Sequence, residues 1–173
     1  MDGRPDPEAS PKARLVYPFA GPPARGQTTE VAPGVHWIRM PLPYALNHIN
    51  LWALDDGDGW ALVDTGVRTE ETALVWRELF ANAPDERSLS RVIVTHMHPD
   101  HIGLAHWLTA HWNCRLWISA TDWHAAQMAS LSTTGVGGNS AADFFASHGL
   151  VDPESQDKIR ARGRYYPTMV PAV

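Results

Sequence analysis

The chain has 173 residues, 44% of them hydrophobic and 19% charged, the composition of one globular domain and not of a disordered or fibrous protein. A net charge of -5, with the 14 Lys and Arg scattered, leaves no basic footprint for nucleic acid. Cys114 is the only cysteine, no stretch approaches the ~20 apolar residues of a membrane span, and residues 1–10 lack the apolar core of a secretory signal. A cytoplasmic protein that neither crosses a membrane nor forms an internal disulfide is therefore expected.

Half of the 14 prolines fall in the first 33 residues, so residues 1–30 read as an irregular leader, from which Tyr17, Pro18 and Phe19 can still fold back on a domain spanning 31–173. Strands are predicted over 35–40 and 49–54, joined through Pro41, Leu42, Pro43 and Tyr44. Asp56, Gly57, Asp58 and Gly59 signal a hairpin into a returning strand at 60–64, which Thr65 and Gly66 end. Thr69 caps a helix with an acidic first turn at Glu70 and Glu71; Ala73, Trp76, Leu79 and Phe80 recur at helical spacing, and Asn82, Pro84 and Asp85 close it. Residues 91–95, around Val92, Ile93 and Val94, read as a strand buried on both faces. A second helix starts near His101, carries Leu104, Trp107, Leu108 and Trp112 on one side and ends near Asn113. A strand follows at 115–119, and Thr121 caps a third helix running to about Ser130. Residues 131–140 form a Gly, Ser and Thr loop. A helix at 141–148 ends on Gly149, and a last helix opens on Asp152 and Pro153 and ends at Gly163. The order β-β-β-α-β-α-β-α predicts an α/β domain, with 131–163 a helical, lid-like segment.

Chemistry concentrates in nine residues: Thr95, His96, Met97, His98, Pro99, Asp100, His101, Ile102, Gly103. His96 and His98, at i and i+2, face one side of an extended backbone. Pro99 then turns the chain, and Asp100 and His101 reappear at the mouth of the next helix. His96 and His98 can grip one ion, and Asp100 and His101 a second. Imidazole with carboxylate suits zinc, and also iron or manganese.

At these residues the sequence resembles the metallo-β-lactamase superfamily, whose signature is His-x-His-x-Asp-His. Leu62, Val63, Asp64, Thr65, Gly66 is similar to the acidic turn that precedes the signature. The resemblance spans about 31–120. It implies an αββα sandwich with the metals at one edge of its sheets, and two zinc ions per complete site. It also implies hydrolysis by metal-bound hydroxide, with Asp100 orienting the nucleophile or holding its proton and His101 completing the second metal site. By the same resemblance Asp64 steadies a ligand histidine; read from the residues alone, it can equally cap its own turn. Tyr44 and His48 lie in a loop that overhangs the metals in such folds. His48 either touches substrate or hydrogen-bonds locally.

Other parts of the pattern are missing. A complete site needs a histidine from a later Gly-His turn, a bridging aspartate and usually a last histidine, and no Gly-His dipeptide follows Gly103. Of the later histidines, His106 reads as solvated, His111 as packed on the apolar helix face, His124 as surface and His148 as a helix end. The expectation is therefore the N-terminal half of such a domain, a fragment whose bare sheet face invites a second copy or a complementary chain. The function expected first is a zinc hydrolase of a small-molecule ester, thioester or lactone, similar to glyoxalase-II-like members. The alternatives are an iron-dependent thiol or persulfide dioxygenase, a nuclease, which the acidic balance disfavours, and a non-catalytic metal-binding module.

Overall fold

The computed structural model of the protein describes residues 16–83, 87–131 and 137–171. Residues 1–15 of the leader, Pro84, Asp85 and residues 132–136 of the predicted loop lie outside them. Six strands form one sheet in sequence order: β1 (Thr29–Ala32), β2 (Val35–Pro41), β3 (His48–Asp56), β4 (Gly59–Val63), β5 (Leu89–Ile93) and β6 (Arg115–Trp117). The first four run antiparallel, and β4, β5 and β6 are parallel neighbours. The switch follows from the connections: tight turns serve β1 to β4, whereas helices carry the chain back before β5 and β6. Gly57, at φ 67, occupies the first central position of the two-residue β3–β4 turn, which needs a left-handed residue.

Among the described residues six helices complete the fold: α1 (Glu70–Asn82), α2 (Pro99–Ile102), α3 (Ala105–Trp112), α4 (Ala120–Leu131), α5 (Gly138–Ser147) and α6 (Pro153–Met169). Thr69 caps α1 as predicted, its hydroxyl accepting the Thr72 N–H at 3.1 Å. The core lies on one face of the sheet, where Ile38, Met40, Leu51, Ala53, Leu62 and Val92 meet Val75, Trp76 and Leu79 of α1 and Leu108 of α3.

The described residues of the leader lie against the domain: Asn82 donates to the Gly26 carbonyl, Arg25 pairs with Glu71 and Glu78, and the Phe19 ring stands 6.5 Å from that of Trp37. Several element boundaries differ from expectation. β5 is buried on one face only, at Leu89 and Val92, while Arg91 and Ile93 are half-exposed on the other. The predicted second helix divides into α2 and α3. Pro99 suits a first helical position and starts α2 before His101, and the chain breaks at Gly103 and Leu104 before α3. Ser119, not Thr121, caps α4: its hydroxyl accepts the Asp122 N–H at 3.0 Å. Gly163 does not end α6, which continues through it and through Pro167 to Met169. Gly137, lacking a Cβ that would lie 2.3 Å from Gly163 N, packs against the helix backbone there, and past it Tyr166 and Val170 enter the core. That burial outweighs the ~1 kcal/mol a helical glycine forfeits.

Candidate metal centre

The site is built where β4 and β5 end side by side. Asp64 leaves β4 with φ 64, a left-handed conformation that Asp tolerates better than most residues. This turn is tied into the next loop from several sides. The Asp64 N–H donates to the Ile93 carbonyl at 2.8 Å, and Thr65 donates through its N–H and its hydroxyl to the His101 carbonyl at 2.8 and 2.7 Å. The Thr65 hydroxyl accepts the Leu104 N–H at 3.1 Å, and the buried Trp76 indole donates to the Thr65 carbonyl at 2.8 Å. Gly103 allows the layers to close, since a Cβ there would lie 2.7 Å from Arg68 N and 2.8 Å from the Gly66 carbonyl.

The Asp64 carboxylate is 8% exposed and fully engaged. It accepts the Thr95 N–H at 2.8 Å and the Thr95 hydroxyl, and its Oδ2 takes His101 Nδ1 at 2.8 Å. Burial alone would raise its pKa, but the hydrogen bonds from His101 and Thr95 outweigh it and hold the carboxyl below its ordinary value. Burial would lower the pKa of His101; the hydrogen bond and charge of Asp64, with the charge of Asp100, raise it instead. Asp64 thus does more than cap its own turn: it fixes the His101 ring by Nδ1 and leaves Nε2 pointing onward.

That Nε2 lies 3.5 Å from Asp100 Oδ2, and His96 Nε2 lies 3.0 Å from His98 Nδ1. The His96 and His101 rings are 3.9 Å apart between centroids, so the two donor pairs adjoin. Burial and the neighbouring imidazoles lower the His96 pKa, which favours the neutral ring that a cation needs. Two donors on a tetrahedral cation at about 2.0–2.2 Å stand about 3.3–3.6 Å apart. The Asp100–His101 separation falls in that range; His96 Nε2 and His98 Nδ1 stand at hydrogen-bond distance, 3.0 Å, and would open by a few tenths of an ångström to admit a cation. Among the described residues no three such donors converge on a single cation, and a catalytic zinc ordinarily takes three protein ligands.

The other candidate residues fall as follows. Tyr44 is 47% exposed and donates to Met169 Sδ at 3.3 Å; its phenol pKa is raised by burial, then by the charges of Asp100 and Tyr165. His48 bonds its neighbour Asn47, Nδ1 to Oδ1 at 2.9 Å, and no hydrogen bond joins it to the donor pairs. His124 is exposed. His148 closes α5, its ring 2.9 Å from the Phe144 carbonyl. His106 is not solvated but half-buried; burial, then the charge of Arg68, push its pKa down against a backbone hydrogen bond at Gly103. His111 is exposed, though its ring stacks on Phe80 and Trp107. Both differ from expectation because the buried stripe of α3 is narrow, Ala105 and Leu108, which leaves His106 at its edge and His111 outside it. A cavity of about 490 Å³ lies at the far end of the sheet, under Leu79, Phe80 and Trp112, and none of the donor residues lines it.

Two residues absent from the sequence reading bear on the site. The Asp122 carboxylate accepts the Met97 N–H at 3.2 Å, and the Tyr166 phenol donates to the Met97 carbonyl at 2.6 Å. Ser119 and Asp122, spaced as a capping box, were a usable signal for the first; nothing local marks the second.

The sequence profile of the metallo-β-lactamase superfamily matches residues 45–171. A solved beta-lactamase domain protein from Burkholderia ambifaria is 45% identical, with a TM-score of 0.78, over 91% of this chain and 45% of its own. A metallo-beta-lactamase family protein from Thermus thermophilus shares the fold at a TM-score of 0.57 and 20% identity, over 82% of this chain and 44% of its own. The probable metallo-hydrolase YqjP of Bacillus subtilis (strain 168) is 37% identical over 68 residues, 39% of this chain and 21% of that protein. The chain thus spans less than half the length of each of these relatives.

Proposed function

The chain belongs to the metallo-β-lactamase superfamily, and from that premise we propose that it serves a metal-dependent, zinc-preferring hydrolase of small esters, thioesters or lactones. The observation that carries this reading is the pair of converging donor sets, His96 with His98 and Asp100 with His101, the latter steered by buried Asp64. Bound there, the metal would acidify a water and polarise the scissile carbonyl. The chain's own groups do the rest. Asp64 keeps the His101 tautomer with Nδ1 protonated and Nε2 available. Asp100 orients the attacking water through its carboxylate. Tyr44, half-exposed beside the end of α6, offers a substrate-facing wall; His48, held locally by Asn47, is the lesser candidate for substrate contact. A third ligand for each ion would have to join these pairs. Among the described residues no helix is long and apolar enough to cross a membrane, and the cytoplasm is the setting we propose.

The test is metal content of the purified protein, then zinc-loaded assays on a panel of an aryl ester, a thioester and a lactone. Hydrolysis should vanish with a chelator, return with zinc and be absent in His98→Ala. Metal uptake with hydrolysis undiminished in His98→Ala would refute the assignment, and iron as the native metal would move it to oxidative chemistry.

A further inference from the structure

Resting on that metal reading, we infer that Asp122 and Tyr166 are positioning residues: together they clamp the Met97 backbone and so set how His96 and His98 present their nitrogens to a cation. Met97 lies between the two histidines, and the peptide group on each side of it is held. Its N–H is accepted by Asp122 Oδ1 at 3.2 Å, and its carbonyl accepts the Tyr166 hydroxyl at 2.6 Å. The two clamps come from different helices. Asp122 sits in the first turn of α4, where its other oxygen accepts the Ser119 hydroxyl at 2.6 Å and so cannot swing away freely. Tyr166 sits in the last turns of α6, 8% exposed and packed in the core. The end of α6 is anchored nearby as well, since Tyr44 donates to Met169 Sδ and Arg68 to the Thr168 carbonyl.

The loop needs such a clamp. Residues 95–98 belong to no strand or helix, so their peptides lack ladder partners. A rotation about the Met97 backbone would swing His96 and His98 relative to one another, because Met97 is the only residue between them. Their nitrogens, 3.0 Å apart, stay side by side only while that backbone is fixed. Residues supporting metal ligands from behind typically contribute 10–100-fold in affinity.

The experiment is cobalt(II) titration of wild type, Tyr166→Phe, Asp122→Ala and Asp122→Asn, read by the visible ligand-field spectrum, with hydrogen exchange at the Met97 amide followed in the metal-free protein. Tyr166→Phe and Asp122→Ala should each bind cobalt about 10-fold or more weakly with an altered spectrum. Their combined loss should be less than the product of the two, since both act on the backbone of one residue. Asp122→Ala should speed Met97 exchange, and Asp122→Asn, which keeps an acceptor oxygen, should recover most of the affinity. Should Tyr166→Phe fail to fold, Asp122→Ala tests the same residue's backbone from its N–H side. Variants that match a cobalt-binding wild type in affinity and spectrum overturn this inference alone. A wild type that takes up no cobalt overturns the metal reading and the clamp with it.

Discussion

Asp64 shows how one residue can serve fold and chemistry together. It accepts a left-handed backbone, joins the ends of β4 and β5 through Thr95, and orients His101. Asp64→Asn keeps the size and the tolerance for φ 64 but replaces one acceptor oxygen with a donor and removes the charge. Metal affinity should drop about 10–100-fold, as measured by competition with a chromophoric chelator. The metal-free protein should change its pH profile too. Asp64, its pKa lowered, contributes stability present above its ordinary 3.8 and lost as pH falls through the lowered value. His101, its pKa raised, contributes stability present below its ordinary 6.5 and lost as pH rises through the raised one. Wild type should therefore unfold most reluctantly between those limits, and the variant should lose that plateau. Equal chelator competition in both proteins would refute the role. The candidate donors were readable as a cluster because all four lie within six residues, on one loop and the short helix that follows it. Tyr166 was not, since its contact with Met97 spans 69 residues and a phenol in a helix looks like any core aromatic.

Among elements, side-chain caps were legible except that of α4, and the ends of α1, α3 and α5 were legible where that of α6 was not. Thr69 and Asp152 cap α1 and α6 as their spacing promised, because a cap is decided within three residues. The end of α6 is decided by what Tyr166 and Val170 bury, which no local pattern contains. The α2–α3 break is another tertiary decision, made by the close approach of Gly103 to the Gly66–Arg68 backbone. Its consequence can be tested. Gly103→Ala places a methyl against the Pro99 carbonyl, Arg68 N and the Gly66 carbonyl, all backbone that cannot simply rotate away. The variant should lose about 1–3 kcal/mol of stability by denaturant titration, and it should weaken metal binding because α2 carries Asp100 and His101. Stability within a few tenths of a kcal/mol of wild type would show that the layers have slack.

At the scale of the whole molecule, the register explains why the sheet has two unlike faces. His36, Ala53, Leu62, Val92 and Leu116 pair across β2 to β6 on the face packed by α1 and α3. The next row, Trp37, Trp52, Val63, Ile93 and Trp117, points the other way and is apolar throughout, yet each member is half-buried or exposed. A polar row would belong there if water were its permanent neighbour. In a two-sheet sandwich such a row is the inner face of one sheet, facing the other across about 10 Å. The described residues form a single sheet, so the row stands where a second layer would seat. This chain on its own should therefore self-associate, its mean mass in sedimentation rising with concentration above 19.1 kDa. Trp52→Lys, mid-row, should shift it toward the monomer with its circular dichroism retained. A wild type that stays at one chain per particle at every concentration would mean the row is covered from within.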